Sequence, residues 1–161
     1  MKAYGVDLHS DSMTTSFWNL EKENRKRKLF SCGLYGKNFD RFLNSLDKED
    51  IILVEATTQS YWFYEQVKDR VRACYILNTN EYRNQGNKTD KIDCKLLLGI
   101  VTYHEIMNTD PTERPYIYVP VPAVRELRGM FTTYNLQKKL LNQTKNRIHS
   151  IYKQNGMLQK K

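Results

Sequence analysis

Four carboxylates are placed where they could share a hard cation. The stretch Lys88 to Asp93, KTDKID, sets Asp90 and Asp93 three residues apart at the start of an apolar run. If Lys88 to about Tyr103 is helical, residues at i and i+3 share a face, so both acids point the same way. Asp7 falls within or at the end of a short apolar stretch, Lys2 to His9, and Glu55 ends the apolar run IILV. Carboxylates brought together from three segments repel and resist ionising together, and divalent cations relieve that repulsion. Mg²⁺, or Mn²⁺ in its place, takes a few carboxylates plus water and phosphate oxygens. Two such ions about 4 Å apart hold the attacking and leaving oxygens of a phosphodiester displacement. The chemistry implied is metal-dependent phosphoryl transfer on nucleic acid, with Asp7, Glu55, Asp90 and Asp93 as both catalytic and metal-binding residues. Simpler roles stay open. Acids in a first helical turn complement the helix dipole, Thr89 or Asp90 would serve as an N-cap, and Glu55 would cap the helix after it. His9 and Asp11 alternate with Asp7 if the strand persists, which makes Asp11 a replacement ligand, although an ordinary solvent-facing role accounts for it better.

The elements that must position these acids follow from the pattern. Lys2 to His9, Thr14 to Leu20 and Leu29 to Leu34 read as three strands, joined by short connections that favour an antiparallel meander, with the charged EKENRKRK as a turn. Phe39, Phe42, Leu43 and Leu46 recur at helical spacing. Ile51 to Val54 is a strand buried on both faces, a helix begins near Gln59, and Arg72 to Leu77 is a fifth strand. Asn78 to Asn87 is a loop by composition, and a third helix follows with Leu96, Leu97, Leu98, Ile100 and Val101 on its buried face. The order βββαβαβα describes an α/β domain with a mixed sheet and helices on its faces, over residues 1–103. If its first and fourth strands are neighbours, Asp7 and Glu55 come side by side. Residues 104–122, with prolines at 111, 115, 120 and 122, read as a linker.

Residues 123–161 read as a basic helical segment. Leu127, Tyr134, Leu141 and Ile148 recur every seven residues, with Met130, Gln137, Thr144 and Ile151 at the companion position. This pattern favours an intermolecular coiled coil, and hence a homodimer or larger homo-oligomer, over a helix folded back on its own domain. Nine of the 26 Lys and Arg residues but only one of the 18 acids lie between Val124 and Lys161. The remainder is balanced, so the whole net charge of +8 resides in this tail. A one-sided basic segment suits phosphates, and Arg125, Arg128, Lys138, Lys139, Lys145 and Arg147 are its candidate contacts, although a solvated helix face would look the same. Lys88 and Lys91 flank the acids, where they would moderate the repulsion or touch a phosphate of a bound strand.

At 161 residues the chain is long enough for a domain with a proper core. Its N-terminus lacks the apolar core of a signal peptide and no run approaches the roughly 20 apolar residues of a membrane span, so a cytoplasmic protein is expected. Cys32, Cys74 and Cys94 form no pair at metal-ligand spacing, and His9, His104 and His149 are equally scattered, which argues against zinc.

GVDLH at 5–9, LVEATTQSY at 53–61 and NKTDKIDCKLL at 87–97 resemble the three acidic motifs of the RuvC-like DEDD domain that begins the insertion-sequence transposases and recombinases related to the Piv DNA invertase. Residues 125–152 are similar to the helical region that follows it. The resemblance covers nearly the whole chain and implies an RNase H-like fold, with Mg²⁺ held by Asp7, Glu55, Asp90 and Asp93. It also implies work on DNA strands guided by a structured bridging RNA. Thr58 stands where glycine is common in that family and Cys94 where alanine is, and Asn78 lacks the proline that usually follows it. Members of the family continue into a second domain that supplies a serine nucleophile, and no serine here takes that role. The expectation is therefore an N-terminal portion or a truncated relative. A non-catalytic nucleic-acid-binding and dimerisation module and a stand-alone junction-resolving nuclease are the alternatives.

Overall fold

The computed structural model describes residues 1–21, 26–78, 90–110 and 113–157. It divides into two units, Met1–Val119 and Pro120–Lys161. The first is α/β. Strands β1 (Lys2–Leu8), β2 (Ser12–Asn19) and β3 (Lys28–Gly33) lead to helix α1 (Lys37–Asn44), and β4 (Ile51–Glu55), helix α2 (Ser60–Val67), β5 (Ala73–Leu77), helix α3 (Asp90–Ile106) and β6 (Tyr116–Ile117) complete it. The sheet order is β3-β2-β1-β4-β5-β6. β1, β2 and β3 form the expected antiparallel meander, whereas β1 pairs with β4 and β4 with β5 in parallel. The first and fourth strands are indeed neighbours.

Because side chains alternate along a strand, successive residues of β1 serve two different cores. Tyr4, Val6 and Leu8 join Ile52, Val54 and Ile76 on the face covered by Phe39, Phe42 and Leu43 of α1 and by Phe63 and Val67 of α2. Ala3 joins Ile51, Leu53 and Leu77 on the other face, under Leu97, Leu98, Ile100 and Val101 of α3. Gly5 belongs to this second face and fixes how near the helix can come. A Cβ on Gly5 would stand 2.3 Å from both Cys94 O and Leu98 N. Only glycine lets the α3 backbone rest on β1. Its partner across the ladder, Ser16, is also small and fully buried.

The reading of 104–122 as a linker needs correction. α3 continues to Ile106, and Tyr116–Ile117 pairs antiparallel with β5, Ile76 opposite Ile117 and Leu77 opposite Tyr116. Two residues flanked by prolines are too short to carry a period-2 signal, and an edge position tolerates a proline before the strand. Side chains hold the addition in place. Arg114 bonds Thr109 O at 3.1 and 3.0 Å and Glu105 Oε1 at 3.2 Å, and Tyr75 stacks on Tyr116 with centroids 4.4 Å apart. His104 accepts or donates a 2.7 Å bond with Thr109 Oγ1, and burial lowers the pKa of its ring.

The second unit contains one helix, α4 (Pro122–Gln154), 33 residues long with none of them buried. Pro122 opens it at a position where its missing N–H is no loss. Among the described residues no helix is long and apolar enough to cross a membrane.

Candidate metal centre

Three segments deliver acids to one end of the α3 face. The β1–β4 register runs to Val6 opposite Val54, so Asp7 and Glu55 are the next residues on adjacent parallel strands. Both follow the odd-numbered alternation of Ala3, Ile51 and Leu53, which puts them on the side covered by α3. Asp90 and Asp93 occupy the first turn of α3. The close seating of that helix over Gly5 brings its N-terminal turn toward the end of β1.

Electrostatics report the convergence. Asp7 is only 6% exposed. Its pKa is pushed up to about 6, first by burial, then by the negative charges of Glu55, Asp93 and Asp90, against a lowering by His9. All three other acids are thus near enough to act on Asp7, while Asp90 itself stays open to solvent and Glu55 and Asp93 are half-buried. Cys94, one turn into α3, has its thiol pKa raised to about 11 by burial and then by Asp7, which leaves it a buried protonated filler.

The ligand group found among the described residues includes a residue that spacing alone left isolated. Asp7, His9 and Asp90 each offer one atom, all within 4.8 Å of one another, and the three could hold a metal ion. His9 Nε2 lies 3.5 Å from Asp7 Oδ2 and 3.3 Å from Asp90 Oδ2. Sequence reading missed it because a lone histidine after a strand has no partner at ligand spacing. The signal was its alternation with Asp7, noted above but given to Asp11. Asp11 instead donates nothing to the group: it is exposed, and its backbone carbonyl accepts the Leu34 N–H at 2.9 Å. Gly5, also unassigned in the sequence, positions the centre from below. Glu55 and Asp93 lie outside the three-atom group, where an all-oxygen second position would draw on them.

The remaining sequence-based assignments divide by region. Lys91 is exposed in the first turn of α3, beside the acids, whereas Lys88, Thr89 and most of the loop that precedes them lie outside the described residues. On α4, Arg128, Lys138, Lys139, Lys145 and Arg147 are exposed and Arg125 is half-buried. Lys138 and Lys145 border the groove lined by Tyr134, Gln137, Leu141 and Asn142, so charge and the heptad seam share one side of the helix. Among the described residues Cys32, Cys74 and Cys94 are free thiols. No protein-family model matches the chain, and no curated protein matches it.

Proposed function

We propose that the chain is a metal-dependent, RuvC-like domain of a DNA transposase or site-specific recombinase, with an RNase H-like sheet, that performs phosphoryl transfer on DNA strands within a complex that includes a guide RNA. The observation that carries this reading is the buried Asp7, which lies within 4.8 Å of ligand atoms of His9 and Asp90, with Glu55 next in register on the adjacent strand and Asp93 in the same first turn of α3 as Asp90. Buried carboxylates in such company are costly without a cation, and divalent ions supply one. The meander followed by parallel β4 and β5 supports the RNase H-like assignment, as does the placement of the acids at one end of the sheet.

In this function the protein's own groups fix the reaction. Mg²⁺ or Mn²⁺, when bound, would polarise the phosphodiester and stabilise both the attacking and the leaving oxygen. Asp7 anchors the centre from a rigid strand, Glu55 reaches it from the neighbouring strand, and α3 sets Asp90 and Asp93 above them. Lys91 is placed to meet a strand phosphate, and the basic residues of α4 would hold nucleic acid by charge. Calorimetric titration with Mg²⁺ and Mn²⁺ tests the reading. Wild type should bind, and Asp7→Ala should lose at least about tenfold in affinity. Equal affinities would remove the metal centre and the proposal with it.

A second reading, a non-catalytic nucleic-acid-binding and dimerisation module, draws on α4, which is basic, long and free of burial. On that reading nucleic-acid affinity falls steeply with salt, survives Asp7→Ala, and disappears from a chain ending at Val121.

A further inference from the structure

His9 has no part in a centre built from carboxylates alone, yet it is the side chain that touches Asp7 and Asp90 together. Its Nε2 is shielded from solvent and has no hydrogen-bond partner among the described residues. The carboxylate of Asp7, a residue 6% exposed, meets the same nitrogen as an ion pair. A charge-assisted N–H to carboxylate bond closes to about 2.7–2.9 Å with an aligned hydrogen. The contacts here, 3.5 and 3.3 Å, are longer and unaligned. They match a different geometry. Imidazole nitrogen and carboxylate oxygen sit about 2.0–2.2 Å from a bound transition-metal ion, which puts neighbouring ligand atoms about 3.4 Å apart on a tetrahedral ion and about 3.0 Å apart on an octahedral one. Two of the three separations are those of ligands sharing one ion, and all three atoms lie within 4.8 Å of one another, which defines a position between them.

The loop that carries the imidazole is fixed from both sides. The His9 N–H donates to Ser12 O at 2.8 Å and closes the turn between β1 and β2, while Gln59 Nε2 donates to Ser10 O at 2.7 Å from the start of α2. His9 is therefore held in place before any ligand arrives.

We infer that His9, through Nε2, is a direct ligand with Asp7 and Asp90 of one cation of the centre, and that this position takes a first-row transition-metal ion such as Mn²⁺ in preference to Mg²⁺. The inference rests on the metal-dependent reading above and specifies which ion the centre selects. Mg²⁺ holds oxygen ligands and keeps its waters, whereas imidazole suits first-row transition ions. Glu55 and Asp93, which offer oxygen only, lie outside this group and suit Mg²⁺ by their chemistry.

Pulsed electron paramagnetic resonance on the full chain loaded with Mn²⁺, without nucleic acid, reads the nitrogen directly. Wild-type protein should show nitrogen modulation from one bound imidazole, and His9→Ala and His9→Asn should lose it with unchanged circular dichroism. His9→Ala should weaken Mn²⁺ at least about tenfold and Mg²⁺, measured by competition, less than about threefold. Nitrogen modulation that is absent from wild type or persists in His9→Ala overturns the assignment, as do equal Mn²⁺ affinities. Asp7→Ala separates the two levels. If it binds Mn²⁺ like wild type, the metal-dependent function itself fails. If it loses Mn²⁺ while His9→Ala keeps it, only the ligand role of His9 fails, and the imidazole serves to neutralise the acids.

Discussion

The two faces of the sheet are built from alternate residues of the same strands, yet they hold their helices by opposite means. Under α1 and α2 the contact is bulk: Tyr4 stacks on Phe17 at 5.3 Å, and Phe39, Phe42 and Phe63 lie within 6.4 Å of one another, centroid to centroid. Under α3 the contact is aliphatic, Leu97, Leu98, Ile100 and Val101 on Ile51, Leu53 and Leu77, and over β1 it is set by small residues, with Ala3, Gly5 and Ser16 on the side the helix covers. Aromatic packing supplies most of what keeps a small domain folded. Close backbone approach supplies something else, a fixed height for the helix whose first turn carries Asp90 and Asp93. The candidate centre stands on the face where a helix is seated by geometry, and the opposite face bears the stability.

Substitutions should separate the two. Phe63→Ala, on the aromatic face, should cost about 3–5 kcal/mol in denaturant unfolding, since Phe63 is fully buried between α2 and the sheet. Metal affinity of the folded fraction should not change. A matching loss of affinity would mean that the faces are not independent.

Gly5→Ala makes the converse case. The new Cβ would meet backbone atoms of Cys94 and Leu98, which cannot rotate away as a side-chain end could. The cost should be about 1–3 kcal/mol or more, as for other overpacked sites. Divalent-ion affinity should fall as well, because α3 must lift from β1 and carry Asp90 away from Asp7. A Gly5→Ala protein with wild-type affinity would show that the height of α3 does not set the centre.

Asp7→Asn isolates the electrostatic burden. Burial, then the charges of Glu55, Asp93 and Asp90, raise the Asp7 pKa from 3.8 to about 6 against the pull of His9. The folded chain thus holds this proton more tightly than the unfolded one, and ionising Asp7 costs stability. That cost is absent below about pH 4, grows as pH rises through 4 to 6, and is complete above 6. Metal-free Asp7→Asn should therefore match wild type near pH 4 and exceed it by about 3 kcal/mol at pH 7.5. Mn²⁺ should stabilise wild type and leave the variant unmoved. Equal stability of the two metal-free proteins at pH 7.5 would contradict the strain assigned to Asp7.

What the sequence disclosed here was whatever a run of residues can encode. Asp7 and Glu55 interrupt apolar strands, and KTDKID opens an apolar helix, so each acid announced itself by breaking a pattern. The meander followed from strand spacing and connection length, whereas the neighbouring of β1 and β4 entered only as a condition and their parallel sense came from the structure. His9 and Gly5 were not legible in the same way. His9 gains meaning only when a turn sets it between two acids distant in sequence, and Gly5 only when a helix from ninety residues later in the chain lies on it. β6 was hidden by its brevity, and its anchor, Arg114, acts through partners on α3 and β5.

The α4 helix offers a third condition, apolar residues that no part of its own unit covers. Leu127, Tyr134, Leu141 and Ile148, one every seven residues, are 47–66% exposed. An exposed position contributes little to the folding of a single chain, so Leu141→Lys should shift unfolding of the α/β unit by no more than about 0.5 kcal/mol. Its effect belongs to association instead. If the seam joins two copies, sedimentation should show wild type associating at micromolar concentration and Leu141→Lys remaining a monomer, because a charge at a core heptad position must be desolvated in the pair. Glu126→Ala, next to the seam rather than in it, should leave association nearly intact. A wild-type chain that stays monomeric at high concentration would instead reserve this stripe for a different partner. In that case Lys138 and Lys145, on the same side as Leu141, point to nucleic acid, and added single-stranded DNA should protect Leu141 of the wild type from solvent-borne labels.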